Sequence, residues 1–173
     1  MTPARCASGG RVPAPSPSAG SYVHPDEATT AAFRRVPAPD EAFGGAAAVN
    51  CLYFLDDPAA ALAEARRILR PGGLFVAATP CRYNDPELEG IDPRWGTASS
   101  FDAEDAPDLV AEVFGPVEVE PWSLTACVLP DREAVADYLH AFNIPDWEAK
   151  ATTIEPPFSI TKVGAEVWAA CPR

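Results

Sequence analysis

The stretch Asp57-Pro58-Ala59-Ala60-Ala61-Leu62-Ala63-Glu64-Ala65-Arg66-Arg67-Ile68-Leu69-Arg70-Pro71-Gly72-Gly73-Leu74-Phe75-Val76-Ala77-Ala78 decides the fold, because every boundary in it carries its own chemical signal. Asp57 is a helix cap, and Pro58 stands at the first helical position, where a missing N–H costs nothing. Leu62, Ala65 and Leu69 recur at helical spacing, with Glu64, Arg66, Arg67 and Arg70 on the wetter side, so a helix is expected over 58–70. The arginines near its end suit the negative pole of the helix dipole. Pro71 pushes Arg70 out of helical geometry, Gly72-Gly73 reverses the chain, and Leu74 to Ala78 is an apolar run of strand length. Upstream, Gly45-Ala46-Ala47-Ala48-Val49 has no polar side chain and reads as a strand buried on both faces of a parallel sheet. The unit is βαβ, a crossover that is almost always right-handed.

Outward from this unit, Asp102-Ala103-Glu104-Asp105 opens a second helix with Leu109, Val110, Val113 and Phe114 as its apolar set, stopped by Gly115-Pro116. Val117-Glu118-Val119-Glu120 alternates as a half-exposed strand does, and the strand continues beyond Pro121 from Trp122 to Leu129. Asp131 caps a helix with Val135, Tyr138, Leu139 and Phe142 on its inner side, and Phe158 to Ala170 is a last strand, expected to form a terminal hairpin with 117–129. Residues 81–96 form a loop at the carboxyl end of a parallel strand, where open α/β sheets place ligands. Its Arg82, Tyr83, Arg94 and Trp95 either line an acceptor pocket or cover the sheet end while the arginines pair with surplus acids. In the other direction, residues 1–30 are rich in Ala, Pro, Ser and Gly and read as a disordered leader, with the domain proper at 31–173. Gly9-Gly10 has no strand before it and is no cofactor loop; a short helix is expected from Asp26 to Arg35, then an extended Val36-Pro37-Ala38-Pro39.

Composition narrows the function. A formal net charge of -12 argues against nucleic acid or an anionic membrane as principal partner. The five cysteines, Cys6, Cys51, Cys81, Cys127 and Cys171, form no C-x-x-C pair, which fits reduced thiols of a cytoplasmic protein better than disulfides or a zinc site. With His24 and His140 the only histidines, no metal site is expected. Neither a bilayer-spanning apolar segment nor a secretory signal is legible.

Pro37-Ala38-Pro39-Asp40-Glu41-Ala42-Phe43, Asn50-Cys51-Leu52-Tyr53-Phe54-Leu55 and the Arg-Arg-Ile-Leu-Arg-Pro-Gly-Gly turn at 66–73 resemble the second half of a class I S-adenosylmethionine-dependent methyltransferase of the type 11 kind. The resemblance implies a partial Rossmann-like, three-layer α/β/α sheet with a C-terminal antiparallel β-hairpin. It implies S-adenosylmethionine as cofactor and a small-molecule acceptor. By the same resemblance the turn Asn50, Cys51 and Leu52 passes beside the methionine portion of the cofactor, and Tyr53, Arg82, Tyr83 and Trp95 belong to the acceptor side. The position that usually contacts the adenine falls at or next to Ala32, and Gly44 replaces an acid common after Phe43. The family's glycine loop and its ribose-binding acid have no counterpart in the sequence.

Methyl transfer from a sulfonium is an in-line substitution that positioning and exclusion of water can accelerate, so it needs neither a triad nor a metal, and no catalytic residue is assigned. Cys51 and Cys81 are weak candidates as nucleophiles, because no histidine or basic cluster lies near either in sequence. Two other readings stand beside the enzyme: a non-catalytic methyltransferase-like subunit that binds a ligand or partner, and a truncated product. The strand at 45–49 would then be an apolar edge, so self-association or a partner that supplies the missing sheet edge is expected.

Overall fold

In the computed structural model residues 35–173 are described, and all belong to one unit, Ala31–Arg173. The leader at 1–30, Gly9-Gly10, the Ala32 position and, up to residue 34, the Asp26–Arg35 helix lie outside the described residues. The described elements are β1 (Phe43–Val49), α1 (Pro58–Ile68), β2 (Leu69–Pro80), α2 (Ala106–Phe114), β3 (Val117–Leu129), α3 (Arg132–Ala141), α4 (Trp147–Thr153) and β4 (Phe158–Ala170). They form a mixed α/β fold around an open four-stranded sheet in the order β1-β2-β4-β3. β1 and β2 run parallel, from Gly45↔Leu74 to Val49↔Ala78, and β4 pairs antiparallel with both β2 and β3.

The caps act as their chemistry requires. The Asp57 side chain accepts from the Ala60 N–H at 3.1 Å with Pro58 at the first position of α1, and Asp131 accepts from the Ala134 N–H at 2.9 Å at the start of α3. Gly115, with φ 89°, ends α2 in a conformation costly for any residue with a Cβ.

Four local expectations are corrected. Leu69 and Arg70 belong to β2 and not to α1: Leu69 is extended, pairs with Phe43 and is 1% exposed, so burial at the sheet edge outweighs its helical spacing. β1 is buried on one face only, with Ala48 in the core and Val49 60% exposed; among the described residues β1 is the edge strand. β3 and β4 do pair antiparallel, yet they form no tight hairpin, because α3 and the unanticipated α4 lie between them in sequence. Val36–Ala38 is turned and not extended, with the Ala38 N–H donating to the Val36 carbonyl at 2.7 Å.

Two apolar clusters hold these elements. The first joins Leu62 of α1, Phe75 and Ala77 of β2, Val110 and Phe114 of α2 and Val167 of β4. Phe75 and Phe114 stack with centroids 4.8 Å apart, each 2% exposed. The second joins Leu129, Val135, Leu139, Ala151 and Ile160 where α3 and α4 meet the far ends of β3 and β4. Ile160 falls on the opposite alternation of β4 from Val167 and Ala169, so the two clusters use opposite faces of the sheet. Thr79, 1% exposed, satisfies its hydroxyl by donating to the Phe101 carbonyl at 2.7 Å.

A polar tie fixes the entry into β1. Arg67 donates to both oxygens of Glu64 at 2.7 Å and to the carbonyls of Val36 and Ala38, while Glu64 accepts from the Val36 N–H at 2.6 Å. The hydrogen bonds from Arg67, working against burial, hold the Glu64 carboxyl at about 2. A carboxyl whose folded pKa lies below its unfolded value of about 4.5 contributes stability that is full above that pH and lost as pH falls through the folded value. Glu64→Gln is therefore expected to melt at a lower temperature than the wild type at pH 7. That gap should close as pH falls from 4.5 toward 2; thermal melts over this range check it, and a pH-independent gap would reject the linkage.

Candidate functional site

β1 ends at Val49, and Asn50 then adopts φ 49°, a left-handed geometry that asparagine tolerates better than most residues. Its N–H donates to the Ala78 carbonyl at 2.9 Å, so the turn leaves the sheet held against β2. This places Asn50 and Tyr53 on the rim of a cleft of about 670 Å³ at the carboxyl ends of β1 and β2, within the range of small-molecule sites. Ala78 and Pro80 of β2, Glu120 and Trp122 of β3, and Lys162 and Glu166 of β4 line it further. These strand residues are register partners or lie two apart, Ala78↔Glu166↔Glu120 and Pro80↔Gly164↔Trp122, on the alternation opposite the first cluster. A Cβ on Gly164 would collide with the Thr79 carbonyl oxygen and the Trp122 ring, so glycine is what lets the indole lie against the strand.

Lys162 is held on three sides. Its ammonium lies 2.7 Å from the Asp85 carboxylate and 3.1 Å from the Tyr138 hydroxyl, and sits 4.8 Å from the centroid of the Phe142 ring. Burial alone would lower the Lys162 pKa, but the bonds to Asp85 and Tyr138 raise it above the ordinary value. Burial pushes the Asp85 carboxyl up, and the lysine opposes that shift.

The residues singled out from sequence divide between cleft, core and surface. Asn50 and Tyr53 line the cleft, and Tyr53 also packs against the first cluster. Burial, then the neighbouring Cys51, raises the Tyr53 pKa, so its phenol keeps its proton at neutral pH. Leu52 is a core residue, 4% exposed, and Cys51 packs half-buried against the same cluster. Burial raises the thiol pKa of Cys51 and Cys81, away from nucleophilic use.

Arg82 is taken up by Asp102 at 2.8 Å and by Asp105, which ties the 81–96 loop to the entry of α2, and its chain N–H donates to Glu104. Arg94 pairs with Asp92 at 2.9 Å and donates to the Phe142 carbonyl. Tyr83 and Trp95 meet edge to face with centroids 5.1 Å apart, outside the residues that line the cleft. Of the two readings of this loop, the geometry has the arginines paired with acids. Sequence reasoning missed Glu120, Trp122, Lys162 and Glu166. Their alternation within each strand was legible, but the register that brings them together was not. His140 lies against Trp147, centroids 4.9 Å apart, as a packing residue.

Residues 16–77 match the family model described as "Methyltransferase domain", a match that begins upstream of residue 31. No curated protein matches the sequence. Among solved structures, a protein of Bacillus halodurans named as a methyltransferase superposes with a TM-score of 0.52 at 14% identity over 82% of this chain and 75% of that one. One of Anabaena variabilis, named as a methyltransferase from an antibiotic biosynthesis pathway, gives 0.52 at 17% identity over 86% and 75%. An S-adenosylmethionine-dependent methyltransferase of Thermotoga maritima gives 0.49 at 21% identity over 80% of this chain, which spans 60% of that protein's length. Residues 16–77 thus resemble a methyltransferase domain, and the chain shares its fold with solved structures named as methyltransferases.

Proposed function

We propose that the chain takes part in S-adenosylmethionine-dependent methylation of a small molecule, with the acceptor in the cleft and the turn at Asn50 beside the methionine portion of the cofactor. The observation that carries this reading is the position of Asn50 and Tyr53 on the rim of a ligand-sized cleft at the carboxyl ends of parallel strands, in a chain whose residues 16–77 match a methyltransferase domain. The side chains present fit that cofactor in kind: an amide and a protonated phenol offer donors and acceptors to an amino-acid portion. When bound, the cofactor supplies an electrophilic methyl group. Asn50 would orient the ligand through its amide, Tyr53 would wall off water, and Leu52 would brace the turn from the core.

The test is transfer of a radiolabelled methyl group from millimolar S-adenosylmethionine to a panel of small amines, alcohols and thiols. Asn50→Ala is expected to lower the rate about tenfold, the effect of one lost hydrogen bond to a charged group. A second reading, a non-catalytic partner subunit, is favoured by β1, beside which no described strand lies, and by Val49 and Leu74, 60% and 56% exposed. No transfer to any acceptor by folded protein, together with association in sedimentation, would replace the first reading with the second.

A further inference from the structure

We propose that the cleft is a site for an organic cation, a protonated amine or a quaternary ammonium group, held between Glu120, Glu166 and the indole of Trp122. The binding itself does not depend on the function proposed above; only a bound amine that has given its proton to a cleft carboxylate has the lone pair to be the methyl acceptor there, and a quaternary ammonium binds without accepting a methyl group at nitrogen.

Glu120 and Glu166 are direct register partners across β3 and β4, and both face the cleft. Like charges directly opposite each other on antiparallel strands are destabilising. Elsewhere Glu64, Asp85, Asp92 and Asp102 each have a basic partner within 4.0 Å, but among the described residues neither Glu120 nor Glu166 has one. Lys162, the one cation in the lining, is already neutralised by Asp85 and turned over the Phe142 ring. Among the described residues these two lining carboxylates therefore have no basic partner, and an arriving cation relieves the repulsion of like charges at paired register positions.

The second observation is aromatic. Trp122 lies one register step from Glu120 and Glu166, opposite Gly164, where any larger residue would displace the ring. Tyr53, on the turn after β1, lines the same cleft. A cation over an indole is the most favourable of the cation–aromatic pairings, and it grows as water is excluded. Carboxylates on the floor and rings on the walls select a cation with an apolar surface over an inorganic ion. The net charge of -12 would draw such a ligand in at low ionic strength.

The experiment is calorimetric titration of the full chain, without cofactor, with choline and with its neutral isostere 3,3-dimethylbutan-1-ol. Choline is expected to bind at least about tenfold more tightly than the isostere, and to weaken as salt screens the carboxylates. Glu166→Gln and Glu120→Gln are each expected to weaken choline about fivefold, and the double variant to melt no lower than the wild type because the repulsion is gone. Equal binding of both probes, no binding of either, or unchanged choline affinity in folded glutamine variants would overturn the proposal. The comparison of probes on the wild type needs no variant to fold. Choline binding by a protein that transfers no methyl group to any amine, alcohol or thiol of the panel would leave this site standing and the enzymatic reading fallen; methyl transfer to a neutral acceptor without choline binding would do the reverse.

Discussion

Isothermal titration of the 173-residue chain with S-adenosylmethionine is expected to give a dissociation constant in the high-micromolar to millimolar range. In the resembled family an acid after the second strand takes the ribose hydroxyls, and a glycine loop after the first strand approaches the methionine portion; neither is found among residues 35–173. Hydrogen bonds to a charged group contribute about 1.5–3 kcal/mol each, so two ribose contacts are worth about 3–6 kcal/mol. At about 1.4 kcal/mol per tenfold, that is a factor of roughly 10² to 10⁴ from a micromolar site. Asn50 and Tyr53 alone do not offset such a loss. Low-micromolar binding would show that residues before 35 supply the contacts, and would remove the reason to expect a partner.

Phe114→Ala is expected to destabilise the domain by about 3–5 kcal/mol, the cost of deleting a buried aromatic ring and leaving a cavity. Phe114 sits at the C-terminal end of α2 and stacks on Phe75 of β2 at an interplanar angle of 8°, so one ring closes the layer between helix and sheet. For a chain of this size the melting temperature should fall by roughly 6–20 °C. Phe114→Leu keeps most of the apolar volume and should cost about half as much. Denaturant unfolding of both variants checks it. A loss below about 1 kcal/mol for the alanine variant would mean that α2 is not packed on the sheet through this pair.

The βαβ unit was legible because its signals are local. Asp57 finds the Ala60 N–H three residues away, Pro58 needs only its own ring, and Pro71 acts on its immediate neighbour. The family resemblance lay in the same residues, and the family match at 16–77 covers them. Asn50 and Tyr53 could be named for the same reason, since a turn at the end of a parallel strand marks the ligand side of an α/β sheet.

What the tertiary structure decided is what depends on partners distant in sequence. Leu69 leaves its helix because Phe43 waits beside it in the sheet, and Val49 is exposed because no described strand lies beyond β1. Arg82 read from sequence as either a pocket residue or the partner of an acid, and only the fold names that partner as Asp102, twenty residues on. Glu120 and Glu166 are ordinary outward residues of two strands when read singly; only the antiparallel register of β3 on β4 makes them one negatively charged floor. Sequence determines alternation through the two-residue period of a strand, but register is set by which side chains fill the core between strands, and that is a property of the folded whole.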